Sequence, residues 1–312
     1  MKKLRAIFFG TPQLSADILA YLLNSEGLNI VAIVSNPDAA GGRGHALIPS
    51  PVTLLAKERN ITLLQPEKVK NNPLFLEAIK TLKPDICLVV AYGKILPQEL
   101  IDISPMGFLN VHTSLLPKYR GAAPIQHALL NGEKITGLTV QQMSLGMDEG
   151  DILIQETWKI SKDDTTGTLF EKTGKRAGPL LAEAVKGLQN GTVTPQKQES
   201  AEATYTKYIK KTDGEIQPDW SLEKTYHAWQ AYTPWPGLSI FFGETKVTLH
   251  RVSKSPYSST QALKHSSTVL SFEVKNGLPA LALSDGYLII HELTPAGKKR
   301  MSGEDFVRGF MK

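Results

Sequence analysis

The chain has 312 residues, 41% hydrophobic and 21% charged; this is a globular composition at a length that suits two domains, and no apolar run approaches the ~18 residues that span a bilayer. Its single cysteine, Cys87, excludes an internal disulfide and fits a reducing compartment, so the cytoplasm is the expected location. The net charge of +5 is uneven: from Thr204 onward there are 14 Lys and Arg against 10 Asp and Glu, and before it 21 against 20, a balance that suits either a solvated surface or a polyanionic partner of the second half.

The first residues carry a basic tip, but the apolar run at 4–9 is too short for a signal peptide and reads as a buried strand. A helical stretch follows through Leu14, Ile18, Leu19, Leu22 and Leu23, then a strand from Leu28 to Ser35. This β–turn–α–β unit opens a doubly wound, Rossmann-like parallel sheet. The turn Gly10-Thr11-Pro12 lacks the dinucleotide glycine pattern, and no acid ends the second strand, which argues against a nicotinamide site. Between Asn36 and Pro51, three Gly and three Pro argue against regular structure. Arg43 is the firm charge at the tip of that loop, and a phosphate contact and a solvated charge are both open there.

Helices are expected over Val52–Arg59 and Pro73–Lys83, with a short strand at 62–64 between them. Asp85–Ala91 is a nearly continuous apolar run, as in the middle of a parallel sheet, and ends in Tyr92-Gly93-Lys94-Ile95, where such sheets bind ligands. The strand at 107–112 places Asn110 and His112 two apart, on one face. A helix from Ile125, a strand at 136–143 with apolar positions 138 and 140, the acidic glycine-bracketed loop Gly146–Asp151, a strand at 152–160 and a helix at 165–188 complete the first domain, residues 1–195. The polar stretch 196–217 reads as a linker. Residues 218–312 hold a helix (Leu222–Tyr232), Pro234-Trp235-Pro236 and five short apolar runs, at 238–242, 246–252, 267–274, 279–283 and 286–292. Such a series suggests a small OB-like β-barrel, a fold that often binds nucleic acid.

Asn110 can donate to a developing oxyanion, His112 can move a proton near neutral pH, and Asp148 can orient the imidazole. No nucleophile is needed: Cys87 reads as a buried structural thiol, and Ser114 lacks the nucleophile-elbow pattern. The chemistry suggested is direct acyl transfer to an attacking amine. The alternative is a satisfied core histidine and a turn aspartate. The seven histidines are scattered without metal-ligand spacing, so no tightly bound metal is expected.

Asn110-Val-His112-Thr-Ser114-Leu-Leu-Pro117, Arg120-Gly-Ala-Ala-Pro124 and Gly146-Met-Asp148-Glu-Gly150-Asp151 resemble the formyl-folate transformylase family. Phe9–Pro12, Gly42-Arg43-Gly44, Pro49-Ser-Pro51, Val90–Gly93, Pro234–Pro236 and Pro295–Lys299 extend the resemblance over nearly the whole chain, toward its tRNA-formylating branch. The resemblance implies formyl transfer from 10-formyltetrahydrofolate to the α-amine of methionyl initiator tRNA. It implies Asn110, His112 and Asp148 as the catalytic set. The folate would lie against Ser114, Leu115, Leu116 and Pro117, with Tyr92, Gly93 and Ile95 walling the pterin. Arg43, and Lys298 and Lys299 of the barrel, would contact the tRNA. No membrane partner is implied, and a monomer is the expectation. Family branches acting on sugar nucleotides or glycinamide ribonucleotide are the nearest alternative. A nucleic-acid-binding scaffold without catalysis is a further one.

Overall fold

The computed structural model describes residues 3–41, 46–257 and 270–311. The chain divides into two compact units. The first comprises Met1–Pro124, Ile135–Lys159 and Phe170–Thr206; the second comprises Ile125–Lys134, Ile160–Leu169 and Lys207–Lys312. Residues 196–206 of the polar stretch thus pack within the first unit, and 207–217 within the second.

The chain begins β1 (Leu4–Gly10), α1 (Gln13–Leu23), β2 (Leu28–Val34), β3 (Ala39–Gly41), β4 (Ala46–Ile48), α2 (Pro51–Glu58), β5 (Leu63–Leu64), α3 (Pro73–Thr81), β6 (Ile86–Val90), α4 (Gln98–Ile101) and β7 (Phe108–His112). It continues through β8 (Arg120–Gly121), α5 (Pro124–Leu130), β9 (Ile135–Gln142), β10 (Ile152–Lys159), α6 (Thr166–Asn190) and β11 (Tyr205–Thr206). The main sheet has the order β10-β9-β7-β6-β1-β2-β5. Its five strands from β7 to β5 are parallel, while at one edge β9 pairs antiparallel with β7 and β10 pairs antiparallel with β9.

β1 and β6 are buried on both faces because helices cover each side. Successive β1 residues alternate between two cores. Ala6 and Phe8 meet Ile18 and Leu19 of α1 and Leu181 of α6, while Ile7 and Phe9 meet Phe75 and Ile79 of α3 and Phe108. From β5 the chain returns to the other side of β1, so the C-terminal ends of β1 and β6 flank the switch in strand order, the usual ligand crevice of such sheets.

The stretch 36–51 differs from expectation. Ala39–Gly41 pairs antiparallel with Ala46–Ile48 as a short hairpin. Pro37 and Pro49 lie just outside the paired residues, where neither removes a ladder donor. The tip with Arg43 lies outside the described residues.

The second unit carries α7 (Leu222–Tyr232), β12 (Leu238–Phe242), β13 (Thr245–Pro256), β14 (Ser271–Lys275), β15 (Leu278–Leu283), β16 (Gly286–Pro295), β17 (Met301–Ser302) and α8 (Gly303–Phe310). Its antiparallel sheet has the order β12-β13-β16-β15-β14, with β17 added to β16. The two-residue alternation of β13 (Val247, Leu249) breaks before Val252, where the register to β16 shifts on either side of Arg251. Such bulges bend strands, and the curled sheet forms an OB-like barrel. Of the third apolar run, 267–269 lie outside the described residues.

The sequence reading did not include α8. Its fully buried Phe306 meets Phe242 edge-on and stacks on Phe310. The Ser302 side chain accepts from the Asp305 N–H and donates to its carboxylate at 2.8 Å, an N-terminal cap visible in the sequence as Ser-x-x-Asp. Ser302→Ala is expected to lower stability by about 1 kcal/mol, read as a lower urea midpoint at unchanged slope; an unchanged midpoint would show that the cap contributes nothing. No helix among the described residues is long and apolar enough to cross a membrane.

Candidate active site

β7 carries two chemistries on its two faces. Leu109 and Val111 enter the core beneath α1 and α6, while Phe108, Asn110 and His112 face the other way. Phe108 is covered by the opposite core, and the polar pair extends from it toward the C-terminal edge. Parallel pairing sets Val89 of β6 beside Asn110, so Ala91-Tyr92-Gly93 leaves the sheet next to His112. Antiparallel pairing sets Gln141 of β9 opposite Asn110 and Thr139 opposite His112.

Asp148 arrives on the loop after β9 in a left-handed conformation, φ +54°. Its carboxylate gathers the site. Oδ1 accepts from Gln141 Nε2 at 2.8 Å and faces Asn110 Nδ2 at 3.5 Å. Oδ2 accepts the Gly121 N–H at 2.8 Å and faces His112 Nδ1 at 3.6 Å. His112 is buried, and its Nε2 donates to the Tyr119 carbonyl at 2.8 Å. Nδ1 is therefore the ring atom left to share a proton. The loop passes so close to β9 that a Cβ on Gly150 would lie 1.8 Å from the Gln142 carbonyl oxygen, so only glycine fits there. A donor amide, an imidazole and a carboxylate thus converge at one sheet edge. That set can polarise a carbonyl and move a proton.

The sequence profile described as "Formyl transferase" matches residues 2–185, and "Formyl transferase, C-terminal domain" matches 208–311. The chain belongs to the formyl transferase family. It is 37% identical over 304 residues to a methionyl-tRNA formyltransferase of Caldicellulosiruptor saccharolyticus, covering 97% of this chain and 96% of that one. A methionyl-tRNA formyltransferase of Desulfotalea psychrophila is 40% identical over 99% of this chain and 93% of its own length. Among solved structures, an N-formyltransferase of Helicobacter canadensis in complex with folinic acid and dTDP-3-aminofucose shares the fold, with TM-score 0.65 and 16% identity over 96% of this chain and 100% of that one.

In this formyl transferase the turn after β7 is held from below. Thr139 Oγ1 donates to the Ser114 carbonyl at 2.7 Å and accepts from the Leu116 N–H at 3.1 Å, and Gln155 Nε2 donates to the Leu116 carbonyl at 2.9 Å. Ser114, Leu116 and Tyr92 are 1%, 3% and 2% exposed, so they shape the crevice from within. Leu115 and Pro117 are half-buried, Gly93 is exposed and Ile95 is 86% exposed, and these four are open to a ligand. Lys94 pins the Tyr92–Ile95 loop by donating to the Pro66 and Glu67 carbonyls at 2.7 and 2.9 Å, and burial lowers its ammonium pKa. At the switch point, Asn36 Nδ2 donates to Thr11 Oγ1 at 3.1 Å and to the Tyr92 carbonyl at 2.8 Å. Lys298 and Lys299 are exposed on the barrel.

The sequence reading missed three groups: Gln141, the Gly121 N–H and the Tyr119 carbonyl. For Gln141 the signal was present. Apolar alternation at 138 and 140 leaves Thr139 and Gln141 on the other face of β9, and two polar residues there call for a polar neighbour on the adjacent strand.

Proposed function

We propose that the protein transfers the formyl group of 10-formyltetrahydrofolate to the free α-amine of methionyl initiator tRNA, giving formylmethionyl-tRNA for translation initiation. One observation carries this reading: Asn110, His112 and Asp148 converge at the sheet edge of a chain aligned over nearly its whole length with methionyl-tRNA formyltransferases. The relative of this fold in complex with folinic acid supports the donor class.

The neutral amine attacks the formyl carbon, and the carbonyl electrons move to oxygen. Asn110 Nδ2 and a proton on His112 Nδ1 stabilise that oxyanion, each such donor contributing about 3 kcal/mol. The proton lost by the amine passes to the Asp148–His112 pair and on to the leaving N10 of folate as the C–N bond breaks. Nothing is oxidised or reduced, and no nucleophile on the protein is used. The donor would rest against Leu115, Pro117, Gly93 and Ile95, with Ser114, Leu116 and Tyr92 fixing the shape of the crevice. The sheet-bearing unit, with residues 196–206 packed into it, would be the catalytic domain, and the barrel within 218–312 would bind tRNA. The reaction belongs in the cytoplasm and needs no second copy of the chain.

The test is formyl transfer from 10-formyltetrahydrofolate to methionyl initiator tRNA, read as a mass gain on the methionine. Folate binding without transfer would discard the tRNA reading and favour a sugar-nucleotide amine. Arg43 and the exposed Lys298 and Lys299 are assigned to tRNA phosphates. Reversing both lysine charges is expected to weaken tRNA binding and reduce its salt slope by about 2, with folate binding unchanged. An unchanged slope would remove them from the tRNA contact surface.

A further inference from the structure

We propose that Gln198 and Arg120 form a positioning strut for Asp148, which makes the polar stretch after α6 part of the catalytic machinery. Arg120 is 3% exposed, and a buried guanidinium must find acceptors for its N–H groups. It finds them within the first unit. Nε and Nη2 both donate to Gln198 Oε1, at 3.0 and 2.9 Å, and Nη1 donates to the Tyr205 hydroxyl at 3.1 Å. Glu149 Oε1 lies 3.4 Å from Nη1.

This fork fixes which end of the Gln198 amide is oxygen. The NH2 end must point away from Arg120, and there it donates to the carbonyls of Asp148 and Gly150, both at 2.7 Å. Those carbonyls bracket the turn in which Asp148 is left-handed, a conformation that is strained for a residue other than glycine. Gly121, next in the chain to Arg120, gives its N–H to the Asp148 carboxylate. One short segment therefore holds Asp148 at two points, by its backbone through Gln198 and by its side chain through Gly121. Parallel pairing of Arg120-Gly121 with Tyr205-Thr206 locks that segment to the stretch that supplies Gln198.

The inference rests on the reading of Asp148 as catalytic. Gln198 touches neither Asn110 nor His112 through any hydrogen bond among the described residues. It acts by placing a carboxylate that must meet a reacting proton, and displacement of such a group by ~1 Å costs up to ~10²-fold in rate.

Gln198→Ala in the full chain tests the strut. The expected result is a kcat lower by about 10- to 100-fold, with KM for folate and for tRNA changed less than about threefold. In an Asp148→Asn background the same substitution should add less than about twofold, because the two residues act as one unit. Gln198→Glu keeps an acceptor toward Arg120 but sets an oxygen against both carbonyls, and should lose at least as much kcat as Gln198→Ala while melting below wild type. A folded Gln198→Ala with wild-type kcat would overturn the strut, and so would a full second loss in the Asp148→Asn background. Failure of both variants to fold would make Gln198 a structural residue only. Wild-type kcat in Asp148→Asn alone would instead remove the reading of Asp148 on which the strut depends.

Discussion

His112→Ala is expected to remain folded, to bind folate and tRNA as before, and to transfer formyl groups about 10³-fold more slowly. The imidazole sits at the end of β7, past the apolar residues that anchor the strand on both sides, so its loss leaves the cores intact. The hydrogen bond from Nε2 to the Tyr119 carbonyl orients the ring and does not hold the sheet. The lost rate comes from two terms. The oxyanion loses the donor at Nδ1, and Asp148 loses the partner with which it passes the proton. The measurement is single-turnover formyl transfer with folate and tRNA both saturating, which separates chemistry from binding. A rate within about fivefold of wild type would leave the imidazole no part in proton transfer.

Asp148→Asn is expected to lose about 10²- to 10³-fold in kcat and to melt below the wild type. The carboxylate receives donors on both oxygens: Gln141 and Asn110 on one, the Gly121 N–H on the other. An amide has one oxygen and one NH2. Whichever way it turns, the NH2 meets a donor, either the Gln141 Nε2 or the Gly121 N–H. A nearly isosteric change therefore leaves buried donors without acceptors. It also removes the charge that would accept a proton from His112. Kinetics and thermal unfolding should both respond. Loss of rate with an unchanged melting temperature would mean that the loop relaxes around the amide.

How far the sequence could be read depended on how far apart the causes lie in the chain. β1 and β6 were legible because runs such as Ile-Cys-Leu-Val-Val can only be covered on both faces. Asn110 and His112 could be placed on one face because strand geometry alone sets it. The donors that hold Asp148 were not legible in the same way. Gln141 faces Asn110 through antiparallel pairing of β7 with β9, which no local pattern declares. Gln198 lies 50 positions from the carbonyl it holds at Asp148, in a polar stretch whose composition suggested a linker. The hairpin within 36–51 was missed because its glycines and prolines flank or end the paired residues and do not interrupt them. The α8 cap was written in the sequence as Ser302-x-x-Asp305, but the helix is short and directly follows a two-residue strand, past the last apolar run at 286–292.

The interleaved division of the chain limits how this protein can be taken apart. Ile125–Lys134 and Ile160–Leu169 belong with the barrel-bearing unit, yet they are encoded inside the half that builds the main sheet. No single cut yields two self-sufficient pieces. A fragment ending at residue 195 would lack Gln198 and β11 and keep segments whose packing partners are gone. Gene fission at that point would not give two working products, and grafting a barrel from a relative would require exchanging both inserted segments with it. Divergence of acceptor specificity in such an architecture is constrained to point substitutions and loop changes, since recombination at a polar junction would separate parts that fold together.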